Sequence, residues 1–142
     1  MLSQPWPCHY LLPVPSNILI VDDETDFIEL LKFRLAKLGC GFLVANDGVQ
    51  ALTQARTAKP DLILLDILLP DLDGLSVCDI LKRQPITKKI PIIFMSALSG
   101  SVTRRTASVQ AEDFFTKPLD LPRLENRIAE LLHLPDHQAK PA

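Results

Sequence analysis

The chain reads as an α/β protein built on a doubly wound parallel sheet, and three observations predict it. Short runs rich in Ile, Leu, Val and Phe ("NILIV", "FLVA", "LILLD", "PIIFMSA" and "DFFT") recur along the chain with amphipathic stretches between them. The inner runs are apolar at nearly every position rather than at alternate ones, as strands covered on both faces must be. The length, 142 residues, suits one domain with a core of its own and leaves no room for a second.

The elements follow in order. "NILIV", from Asn17, is a buried first strand. After "DDE", the segment Thr25 to Leu38 carries Ile28, Leu31, Leu35 and Leu38 at helical spacing, and Gly39 to Gly41 stops it. "FLVA" (Phe42 to Ala45) is a second strand, and "NDG" turns the chain into a helix with Val49, Leu52 and Ala55 inward, closed by Pro60. The third strand runs from Asp61 to Leu65 with Asp66 at its end; the loop "LLPDLDG" leads to a third helix from about Leu75 to Arg83, with Leu75, Cys78 and Leu81 on one side. "PIIFMSA" is a fourth strand, and 101–109 is a helix with a weak apolar stripe. "DFFTKP" holds a short fifth strand, and Leu121, Leu124, Ile128 and Leu131 give the last helix its inward face, with Pro122 tolerated in the first turn. Right-handed crossovers with helices on both faces then favour the flavodoxin-like strand order 2-1-3-4-5, whose functional crevice lies at the carboxyl ends of the strands near the switch point between strands 1 and 3.

Residues 1–16 form a proline-broken arm, 17–133 the domain, and 134–142 a tail or linker start. The arm lacks a positive n-region, and no apolar run approaches the roughly 20 residues that span a bilayer, which points to a soluble, cytoplasmic protein with no membrane partner. A formal net charge of -2 supplies no basic footprint, so no direct contact with nucleic acid is expected. Three cysteines, Cys8, Cys40 and Cys78, without CxxC spacing read as buried, reduced thiols.

Asp66 is the residue that asks for a chemical reason, because it stands inside "LILLDILLP", where an ionised group is costly unless paired, metal-bound or at a wet edge. The predicted topology provides the edge. Strand 1 ends in Asp22 and Asp23, strand 3 in Asp66, strand 4 in Ser96 and strand 5 in Lys117, all delivered to one rim. Three crowded carboxylates repel one another, and a divalent cation relieves the repulsion. Oxygen-only donors on a shallow rim suit Mg²⁺. A carboxylate beside Mg²⁺ and an ammonium can attack a phosphoryl group. Asp66 is the central candidate nucleophile. Asp23 would bind the metal directly, Asp22 through water or by holding the geometry, and the Leu68 carbonyl would add an oxygen. Lys117 and the Ser96 hydroxyl would take phosphoryl oxygens.

Four motifs together resemble the receiver domain of two-component response regulators: "ILIVDDE", "LILLDILLPDLDG", "MSA" and "FFTKP", over about Asn17 to Leu132. The resemblance implies that a histidine kinase or phosphotransfer protein passes its phosphoryl group to Asp66, that Mg²⁺ is required, and that the Lys117–Pro118 bond is cis. It implies a signalling domain rather than an enzyme acting on an outside substrate: the chain catalyses its own phosphoryl transfer and slow loss. Phe114 aligns with the family's aromatic switch, turning inward as Ser96 moves toward the phosphoryl group. The face made by the 101–109 helix and strand 5 is then the output surface, and together with the last helix it could serve as a homodimer interface. The rival reading is a phospho-independent receiver serving as an interaction or dimerisation module, which usually lacks part of the acidic set present here. An aspartyl-phosphate phosphatase would need an aspartate two residues after Asp66, where Leu68 stands. Leu68 and Leu98 would flank the path of attacking water and slow hydrolysis to minutes or longer. Gln110 stands where many members carry glycine.

Overall fold

The computed structural model describes residues 15–97 and 110–134. The 101–109 helix, Leu98, the arm up to residue 14 and the tail beyond 134 lie outside the described residues.

Five parallel strands, β1 (Asn17–Val21), β2 (Gly41–Ala45), β3 (Leu62–Asp66), β4 (Ile92–Ser96) and β5 (Asp113–Thr116), pair in the order β2-β1-β3-β4-β5. Helices α1 (Thr25–Leu35), α2 (Gly48–Ala58), α3 (Gly74–Arg83) and α4 (Leu121–Leu131) cover the sheet. The alternation of side chains along each strand decides which layer a residue joins. Leu19, Val21, Ile63, Leu65, Ile92 and Phe94 pack with Ala51, Leu52 and Ala55 of α2 and Leu75, Cys78 and Leu81 of α3. Ile18, Ile20, Leu62, Leu64, Ile93 and Met95 face the other way, onto Ile28, Leu31 and Leu35 of α1 and Leu124 and Ile128 of α4. All five residues of β3 are buried, so each apolar one contributes roughly 1.5–3 kcal/mol by leaving water.

The structure corrects three expectations. The first helix is not continuous to Leu38: it tightens into a 3-10 turn over Ala36–Leu38 and ends on Gly39, whose φ of +78° is the left-handed conformation glycine adopts without penalty. Val49 faces solvent rather than the core, because a helix starting at Gly48 turns 48, 51, 52 and 55 inward and leaves 49 one position off that stripe. Cys40 is only half-buried; Cys78 is buried, and burial pushes its thiol up to about 11, which leaves it a packing group.

One buried charge had no sequence signal. Glu125 on the inner side of α4 is 1% exposed, and its carboxylate meets Arg34 at 3.2 Å and Lys37 at 2.9 Å, tying α4 to the end of α1. Among the described residues, no helix is long and apolar enough to cross a membrane.

Candidate functional site: an acidic pocket at the carboxyl edge

The carboxyl ends of β1, β3, β4 and β5 meet at one rim, where parallel register makes the meeting obligatory: Val21 pairs with Leu65, Asp66 with Met95 and Ser96 with Thr116. The last residues of β3 and β4 and the residues just past β1 and β5 are therefore brought to the same rim. Asp22 and Ser96 are fully buried, Asp66 is 5% exposed, and Asp23 faces solvent. One carboxylate oxygen from each of Asp22, Asp23 and Asp66 lies within 4.8 Å of the others.

Lys117 supplies the opposing charge. Its ammonium donates to Asp22 Oδ2 at 2.8 Å and to Asp66 Oδ2 at 3.2 Å, lies 3.7 Å from Glu24 Oε1, and sits 4.1 Å above the Phe27 ring. The lysine is placed by its own backbone: its N–H donates to the Ser96 carbonyl at 2.7 Å, and the Lys117–Pro118 bond that follows is cis. The remaining carboxylate oxygens bind backbone. Asp22 Oδ1 accepts from Glu24 N at 2.9 Å, and Asp66 Oδ1 accepts from Leu68 N at 3.1 Å. Asp22 Oδ1 thus closes a turn onto Glu24, the residue before α1, without capping a helical N–H, and its other oxygen belongs to the lysine.

The electrostatics follow from burial. Desolvation raises the Asp66 carboxyl to about 6, against the lowering pull of the Leu68 N–H and of Lys117 and with a further push from Asp22. For Lys117, burial opposes its charge, yet the hydrogen bond to Asp22 and the charges of Asp66 and Asp22 outweigh burial and hold its pKa above the usual lysine value. The pocket is thus short of positive charge, with one ammonium among three clustered carboxylates.

These donors fit a hard divalent cation. They are oxygens only, they lie close enough to share one ion, and each carboxylate oxygen in a hydrogen bond keeps a second lone pair. Leu68 follows the pocket on an open loop, with its side chain half exposed. Phe114 is half-buried and packs against the α2–α3 layer of the core rather than standing free at the edge.

Several residues that shape the pocket escaped the sequence reading. Glu24 and Phe27 follow the acidic pair and touch Lys117, a role only their adjacency to "DD" could have hinted at. Asn46 donates from Nδ2 to the Asp22 carbonyl at 3.3 Å. Gly74 presses on the back of the nucleophile strand: a Cβ there would overlap the Asp66 carbonyl oxygen and stand 2.8 Å from Ile67 Cα, while its N–H donates to the Ile67 carbonyl at 2.8 Å. The glycine that closes the loop "LLPDLDG" was a visible signal of this close approach.

A five-stranded flavodoxin-like sheet with a lysine-bridged acidic cluster at its carboxyl edge is the architecture of a signalling receiver. Residues 18–129 match the response regulator receiver domain family, and the chain belongs to it. It is 37% identical over 118 residues to the alkaline phosphatase synthesis transcriptional regulatory protein PhoP of Bacillus subtilis, and 39% identical over 119 residues to the probable transcriptional regulator ycf27 of Cyanophora paradoxa. Each of these alignments covers 82% of this chain and 48% of the relative, so the chain spans about half the length of these relatives. Among solved structures it resembles the receiver domain of a Syntrophus aciditrophicus signal transduction histidine kinase (TM-score 0.78, 32% identity, 89% of this chain and 97% of that one). It also resembles the receiver domain of the Francisella response regulator 1452 (TM-score 0.75, 31% identity, 83% and 97%).

Proposed function

We propose that this chain takes a phosphoryl group from the phosphohistidine of a sensor kinase or phosphotransfer protein onto Asp66 and signals by the change this causes. The observation that carries the reading is the pocket itself: three carboxylate oxygens within 4.8 Å of one another, with the Lys117 ammonium bridging Asp22 and Asp66.

In the transfer, an Asp66 carboxylate oxygen forms the new P–O bond as the donor's P–N bond breaks, and the imidazole leaves with the electron pair. An Asp66 carboxyl of pKa about 6 is mostly ionised at pH 7.5, as a nucleophile must be. Lys117 neutralises charge on the phosphoryl oxygens, and the Ser96 hydroxyl donates to another of them. Asp23 and Asp66 would hold Mg²⁺ directly, Asp22 through water, and the Leu68 carbonyl would add an oxygen. Bound there, the ion supplies charge neutralisation during transfer.

A surface groove supports a path for the donor. An apolar groove lined by Phe27, Leu30, Pro118, Leu119 and Leu121 opens beside Lys117, and Phe33 on the same helix is 80% exposed. A donor helix presenting its histidine to Asp66 would rest there. The relatives' names concern transcription, but this chain spans about half of them. We assign to it the phosphoacceptor step, carried out in the cytoplasm, and no DNA contact of its own.

Phosphorylation would draw Ser96 and Lys117 inward and let Phe114 reorient, switching the output face expected from residues 101–109 and β5; a second copy could pair there with α4 included. Hydrogen exchange with and without beryllofluoride tests the switch; unchanged protection over residues 101–114 contradicts it. The half-exposed Leu68 presents apolar bulk where water would attack, so the phosphoryl group should last minutes or longer, and loss within seconds counts against that. The central test is acetyl phosphate with Mg²⁺, read by intact mass. The native chain should gain one phosphate adduct and Asp66→Asn none; an adduct that persists in the variant refutes the assignment.

A further inference from the structure

The loop between Asp66 and α3 is fastened at two places, and the second has no role in the scheme so far. Its base is closed by the hydrogen bond from Gly74 N to the Ile67 carbonyl at 2.8 Å. Its tip is held by Asp71, whose carboxylate grips the start of α2 with both oxygens: Oδ1 accepts from Gly48 N at 2.7 Å and Oδ2 from Val49 N at 3.0 Å. These are the first two N–H groups of the helix, which have no partner within it. The usual capping duty is already filled by Asp47, which accepts from Gln50 N at 2.8 Å. Asp71 is therefore an added tie across 22 and 23 residues of sequence, not a substitute for a missing cap.

The fit at this contact is close. A Cβ on residue 48 would stand 2.8 Å from Leu72 Cβ and 3.2 Å from Asp71 Oδ1, so the loop reaches the helix only because that residue is glycine. On its other side, α2 connects to the acidic pocket, since Asn46 just ahead of it donates to the Asp22 carbonyl at 3.3 Å. Leu68, on the same loop as Asp71, has its N–H on Asp66 Oδ1. The contacts form a closed circuit: Asp22 to Asn46, the start of α2, Asp71, the loop, Asp66, Lys117 and back to Asp22.

We propose that Asp71 is a positioning residue, which by clamping the loop to the start of α2 sets where the Leu68 carbonyl stands relative to the three carboxylates and thereby sets Mg²⁺ affinity. This rests on the reading of the pocket as a cation site with Leu68 among its ligands. A carbonyl on an untied loop would sample many positions, and the cation would have to order it on binding. Groups that orient metal ligands without touching the metal commonly change affinity by about tenfold or more.

The experiment is calorimetric titration of the unphosphorylated chain with MgCl₂, together with thermal melts in chelator, for the native chain, Asp71→Ala, Asp71→Asn and Asp47→Ala. Asp47→Ala weakens the start of the same helix and leaves the clamp in place. Asp71→Ala should bind Mg²⁺ about tenfold more weakly, and Asp71→Asn, which keeps one acceptor oxygen, should fall between it and the native chain. Asp47→Ala should melt lower yet bind like the native chain. If Asp71→Ala binds Mg²⁺ normally, or if both alanine variants weaken binding alike, the residue is only a helix cap and the proposal is overturned. Should Asp71→Ala not fold, Asp71→Asn decides by the same comparison. A native chain that binds no Mg²⁺ refutes the cation-site reading itself, a failure distinct from normal binding by the Asp71 variants.

Discussion

Replacing Asp66 by asparagine should stabilise the resting protein, and the size of the gain follows from the pocket. The folded chain holds this carboxyl at about 6 against an ordinary value of 3.8, chiefly by desolvation. A folded-state pKa above the unfolded one means that the folded chain binds more protons between those values. Stability therefore falls as pH rises from about 4 to about 6 and stays lower above that. The difference of roughly 2 units corresponds to about 3 kcal/mol at about 1.36 kcal/mol per unit. Solvent at the open rim screens part of it, and the carboxyl titrates together with its neighbours, which leaves about 1–2 kcal/mol. Asparagine keeps the shape and an acceptor oxygen but carries no charge, so Asp66→Asn should gain that amount at pH 7.5, or about 3–6 °C in Tm. Urea and thermal melts of both chains in EDTA at several pH values between 4 and 8 measure it. The two curves should converge near pH 4. With millimolar Mg²⁺ the native chain should recover stability that the variant does not, because an ion that binds the folded state stabilises it by mass action. An Asp66→Asn chain less stable than the native one at pH 7.5 in EDTA would refute the reasoning, since it would show that Lys117 outweighs desolvation at this site.

Other substitutions probe the same physics elsewhere. Lys117→Met should cost about 3 kcal/mol in urea melts at neutral pH, because it strips the fully buried Asp22 carboxylate of its cation, and it should abolish phosphorylation by acetyl phosphate. Gly74→Ala should cost about 2–3 kcal/mol and slow phosphorylation, since the added methyl meets the Asp66 backbone rather than a side chain that could move aside; unchanged melts would mean that the loop relaxes freely. At the other end of the molecule, Glu125→Leu should be close to neutral, whereas the double variant Arg34→Ala, Lys37→Ala should lose about 3 kcal/mol by leaving the buried carboxylate unpaired. Equal losses for the two would show that the ion pair itself, not the orphaned charge, sets the cost. Leu30→Ser should slow phosphotransfer from a kinase and leave acetyl phosphate phosphorylation unchanged, because Leu30 lines the groove but contributes no group to the acidic cluster.

The strand order and the convergence of Asp22, Asp23, Asp66, Ser96 and Lys117 on one rim were legible in the residues alone, for a reason that is local. A run such as "LILLD" marks both where a strand lies and where it stops, and parallel strands all stop at the same edge. Helical faces were legible to the same degree; Ile28, Leu31 and Leu35 follow a period that any buried helix must show. Where a periodic stripe begins is less local: by spacing Val49 fits an inward stripe, and only the helix start at Gly48 turns it to solvent.

What the tertiary structure decided are matters of distance across the chain. Glu125 looks like one more surface charge until α1 brings Arg34 and Lys37 over it from 91 and 88 residues away. Asp71 reads as a turn residue until docking sets it on the start of α2, and the raised pKa of Asp66 exists only once neighbouring strands have removed its water. Composition and periodicity describe what each segment must bury. Which polar groups then meet depends on how the buried faces settle against one another, and that is a property of the packed whole.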